Sequence, residues 1–119
     1  MNIVMYGFEP DTVRDIAKEY GFTLCSRYDD LRRSENGILL QCGVSSEEES
    51  RELMRALDDF ADDIDTVIAA LPHGSGDIIR YCPQPWKLFA IDTSDEDPEY
   101  EIGRIIASRL GLICAHEGI

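Results

Sequence analysis

The chain has 119 residues, of which 24 are acidic and 11 basic, for a net charge of −13 at neutral pH. A chain of this length suits one domain around one core. Its negative field repels nucleic-acid phosphates and anionic membrane surfaces, and no apolar run approaches the ~20 residues of a membrane span.

Ile3–Tyr6 is apolar without alternation, as expected of a strand covered on both faces. Pro10 suits a first helical position, where a missing N–H costs nothing. Val13, Ile16, Ala17 and Tyr20 follow at helical spacing, and Gly21 supplies a left-handed stop. Phe22–Arg27 reads as a second strand. Asp29–Arg33 reads as a short turn or a single helical turn, closed by Asn36-Gly37.

Ile38–Cys42 is the third strand and leads into the clearest helix. Ser46 and Glu49 form a capping box, and Glu47–Glu49 complement the positive end of the dipole. Leu53, Met54, Leu57, Phe60, Ala61 and Ile64 make the buried stripe. Asp58, Asp59, Asp62 and Asp63 stand against the dipole at the other end, an arrangement that costs stability; plain solvation is the expected reading and attraction of a basic partner the alternative.

Thr66–Leu71 is a fourth strand, and Asp77–Tyr81 suits a short helix ended by Pro83 and Pro85. Lys87–Ile91 is a fifth strand. Asp97-Pro98 caps a last helix with the stripe Ile102, Ile105, Ile106 and Leu110, and Gly111 is the expected stop. Leu112–Ala115 reads as a short sixth strand or a packed tail.

Short apolar strands alternating with capped helices point to an α/β fold over residues 1–119. The expected architecture is a three-layer sandwich with helices on both faces of a five-stranded, mainly parallel sheet in the flavodoxin-like order 2-1-3-4-5. Such sheets bind ligands at the carboxyl ends of their strands.

In length, acidity and element order the chain resembles the receiver domains of response regulators. The motif residues of that family are missing. The first corner, Tyr6-Gly7-Phe8-Glu9, holds one acidic residue instead of a pair. Leu40-Gln41-Cys42-Gly43 offers no aspartate for phosphorylation, and Lys87 precedes the fifth strand instead of following it. The resemblance therefore implies a fold without phosphotransfer chemistry.

No dinucleotide or P-loop fingerprint is present, and the lysines are Lys18 and Lys87 alone. Gly74, Ser75 and Gly76, in a glycine-rich corner after the fourth strand, are candidate ligand-binding positions, with Thr93 and Ser94 after the fifth. Asp92–Asp97 concentrates carboxylates, but Asp97 serves as a cap and the spacing of a calcium loop is lacking, so no metal is expected. His73 and Cys82 flank one loop and could form a base–nucleophile pair with Asp92 as orienter. Cys25 and Cys42, on strands, read as small packed hydrophobes.

Tyr81, Pro83, Pro85 and Trp86 form a stiff aromatic stretch suited to anchoring a partner. The direct opening into a strand lacks a leader, and four dispersed cysteines suit reduced thiols, so a cytoplasmic location is expected. The function expected is a non-enzymatic binding or regulatory module. It would engage a protein partner, a second copy included, or a small molecule through the carboxyl-end loops and the Trp86 segment, without a cofactor. The alternative is a small hydrolase or transferase using His73, Cys82 and Asp92.

Overall fold

A computed structural model describes residues 1–43, 46–71, 87–92 and 97–117. Five parallel strands are hydrogen-bonded in one sheet: β1 (Ile3–Tyr6), β2 (Thr23–Cys25), β3 (Gly37–Gln41), β4 (Thr66–Leu71) and β5 (Leu88–Asp92). The helices are α1 (Pro10–Tyr20), α2 (Tyr28–Arg32), α3 (Glu47–Asp59) and α4 (Pro98–Glu117), with a 3-10 turn at Ala61–Asp63.

Alternation along each strand sorts the core into two halves. Ile3, Met5, Ile38, Ile68, Ala70 and Ile91 pack on Val13, Ile16 and Ala17 of α1 and on Ile102 and Ile106 of α4. Val4, Tyr6, Leu39, Val67 and Ala69 pack instead on Leu31 of α2, on Leu53 and Leu57 of α3, and on Ile64. The result is three layers, with α1 and α4 on one face and α2 and α3 on the other. Every residue of β1 is buried, as a strand covered on both sides requires.

The strand order is β2-β3-β1-β4-β5, which corrects the flavodoxin-like order. β1 lies between β3 and β4, in register Ile3 with Ile38 and Ile3 with Thr66. A buried side chain accounts for that placement. Asn2 Nδ2 donates to the carbonyls of Leu31 (2.7 Å) and Asp63 (2.9 Å), while its Oδ1 accepts from Gly37 N–H (2.7 Å). Its own N–H donates to Asp65 Oδ2 at 2.8 Å. The start of β1 is thereby tied at once to the approaches of β3 and of β4. β2 falls to the edge, where Thr23 and Leu24 are exposed.

The helix signals act as local chemistry demands. Gly21 takes φ 74° and its N–H closes α1 on the Ala17 carbonyl. Ser46 Oγ accepts from Glu49 N–H at 3.1 Å. The last helix differs from expectation, because it runs through Gly111 to Glu117 and replaces the proposed sixth strand or tail. An interior glycine costs a helix only about 1 kcal/mol, and the leucines and alanine around it favour continuation.

Basic side chains gather where the chain leaves α3. Lys87 Nζ donates to the carbonyls of Ala61 (2.9 Å) and Ile64 (3.0 Å), Arg32 Nε meets Asp63 Oδ2 at 3.1 Å, and Arg109 reaches the Asp65 carbonyl at 3.2 Å. Cations from three distant segments therefore serve the carbonyls of the chain that follows α3, and one of them pairs with Asp63. Lys87→Met should cost about 1–3 kcal/mol by urea denaturation, because two carbonyls lose a charged donor. An unchanged midpoint would show that water serves those carbonyls equally well.

Candidate functional site

Because all five strands are parallel, their carboxyl ends meet along one rim. α1 leaves β1 toward one face and α3 leaves β3 toward the other, although β1 and β3 are neighbours. That divergence opens a crevice of the kind in which α/β sheets hold ligands. Gly7, at φ 78°, turns the chain out of β1, and its N–H donates to the Gln41 carbonyl at 2.9 Å. The turn thus anchors the first corner to the end of β3.

Beside this crevice lies a cleft of about 550 Å³, lined by Tyr28, Gln41, Cys42, Gly43, Glu49, Glu52, Leu53 and Ala56. Tyr28 is its fixed wall. The ring stacks on Phe60 with centroids 5.6 Å apart, and the Arg32 guanidinium covers the Phe60 ring at 4.7 Å. Burial pushes the Tyr28 phenol well above its ordinary range, so it stays a neutral donor. Its hydroxyl donates to Gln41 Oε1 at 2.8 Å, and Gln41 Nε2 donates to the Cys42 carbonyl at 3.2 Å. The Gln41 amide is held from both ends.

Among the described residues, the lining includes two carboxylates and no lysine or arginine. A phosphate or carboxylate ligand would meet repulsion there, whereas a neutral polar or positively charged group would not. Cys42 corrects its expected role as a packed hydrophobe. β3 ends one residue earlier, at Gln41, and Cys42 is exposed, while Cys25 is buried as expected.

Of the residues singled out in the sequence, Asp92 ends β5 on this rim and is exposed. His73, Gly74, Ser75, Gly76, Tyr81, Cys82, Pro83, Pro85, Trp86, Thr93 and Ser94 lie outside the described residues. Asp97 acts as a cap, its Oδ1 accepting from Tyr100 N–H at 3.0 Å. Among the described residues, no group of three His, Cys, Asp or Glu side chains is placed to hold a metal ion, and no helix is long and apolar enough to cross a membrane.

Sequence reasoning missed Tyr28, Gln41, Glu49 and Glu52 as a group. The available signal was the strand end at Gln41-Cys42-Gly43 directly before the Ser46 cap, which marks a carboxyl-end corner. Nothing local to Tyr28 announces that α2 delivers it to the same place. Comparison with protein-family models, with curated proteins and with solved structures returns no match for this chain.

Proposed function

We propose that the protein is a non-enzymatic binding or regulatory module that takes a small ligand, or a side chain of a partner, at the carboxyl rim of its sheet. The observation supporting this reading is the cleft of about 550 Å³ at the end of β3, beside the point where α1 and α3 diverge. A rigid aromatic wall, a fixed amide and two carboxylates favour a neutral polar or cationic group of modest size.

Ala56→Trp tests the reading by filling the cleft. A fragment screen of small amines and neutral amides, followed by amide NMR, should shift Gln41, Cys42 and Gly43 in the parent protein. The same fragments should leave the filled variant unperturbed at an unchanged melting temperature. Equal binding by both proteins, or no fragment that moves those three amides, would remove the cleft as the binding site.

A further inference from the structure

We propose that the groove between α1 and α4 docks a basic segment of a protein partner, holding an arginine or lysine side chain against Tyr20 and Tyr100. This groove lies on the face of the sheet opposite the cleft and is independent of it. It encloses about 380 Å³ between the last turn of α1, which supplies Glu19 and Tyr20, and the first turns of α4, which supply Asp97, Glu99, Tyr100 and Gly103.

Tyr100 is 63% exposed, and among the described residues only Leu24 is a comparably exposed large hydrophobic side chain. Tyr20 is half-buried, and its hydroxyl rests so closely on Gly103 that a Cβ there would collide with it. A glycine inside a helix is a local cost, and here it lets the Tyr20 ring lie in the groove. Two aromatic side chains are thereby presented along one groove at the protein surface.

The charge around them selects the partner. Glu19, Asp97 and Glu99 are exposed, whereas the basic residue of the lining, Arg104, is engaged with Glu101 at 3.3 Å. A guanidinium or ammonium group can lie on a tyrosine face while a carboxylate meets its N–H groups. An acidic partner is repelled, and a purely apolar one would strip water from three carboxylates without pairing them. The net charge of −13 steers a basic segment toward the whole molecule, and the tyrosines give it one place to stop.

A capped hexapeptide of alternating arginine and serine is the probe, titrated into the labelled protein at low salt and followed by amide NMR and calorimetry. Saturable shifts are expected at Tyr20, Tyr100 and Gly103. Tyr100→Ala should weaken binding about ten-fold and Tyr100→Phe should restore it, as expected when an aromatic anchor is lost and returned. Glu99→Gln should weaken binding several-fold. Glu48→Gln, an equal change of charge on exposed α3, should alter it less than two-fold. Since Tyr100 is exposed, these variants should melt with the parent. Binding unaffected by Tyr100→Ala, equal losses from Glu99→Gln and Glu48→Gln, or shifts centred on α3 would each overturn the proposal. So would the absence of saturable binding.

Discussion

Asn2→Ala should destabilise the protein by about 2–4 kcal/mol and lower its melting temperature by about 10 °C. The side chain is buried and makes three hydrogen bonds, to the Leu31 and Asp63 carbonyls and from Gly37 N–H. Alanine leaves the buried Gly37 N–H without its acceptor and takes one donor from each carbonyl, Leu31 keeping only the one from Ser34 N–H; the penalty for an unmade buried bond exceeds the value of the bond itself. Asn2→Asp should cost more, since a carboxylate has no N–H to offer either carbonyl. Asn2 also joins the approaches of β3 and β4 to the start of β1, so its loss should speed amide exchange in all three strands. Melting within about 1 kcal/mol of the parent would show that the strand order is held by apolar packing alone.

Ile106→Ala should cost about 2–5 kcal/mol, the range for truncating a fully buried aliphatic side chain. Ile106 and Ile102 are both inaccessible to solvent and set α4 against the face of the sheet shared with α1. The cost is large because Ile106 belongs to a close-packed cluster of sheet, α1 and α4 residues that can relax into the void only in part. Ser108, exposed two residues further along α4, provides the control, and Ser108→Ala should stay within about 0.5 kcal/mol. Equal effects from the two substitutions would mean that α4 does not pack as described.

Signals that act over a few residues were readable. Pro10 and Gly21 bound α1 where their backbone preferences place them, and Ser46 caps α3 through its own hydroxyl. The unbroken apolar run of β1 announced cover on both faces, which the two halves of the core provide. Gly111 misled because a glycine can stop a helix or be carried through one, and the choice turns on about 1 kcal/mol. Cys42 misled because one residue of strand length separates a packed position from an exposed one.

Composition and hydrophobic rhythm were enough to specify strands alternating with helices, a parallel sheet and an acidic exterior, because each depends on near neighbours in the chain. The neighbours of β1, the cations that settle where the chain leaves α3, and the meeting of Tyr28 with Gln41 and Glu52 were resolved by folding alone. Those contacts join residues at least 13 positions apart. Their pairing depends on which apolar faces meet and which buried polar groups find partners, and no local pattern records either.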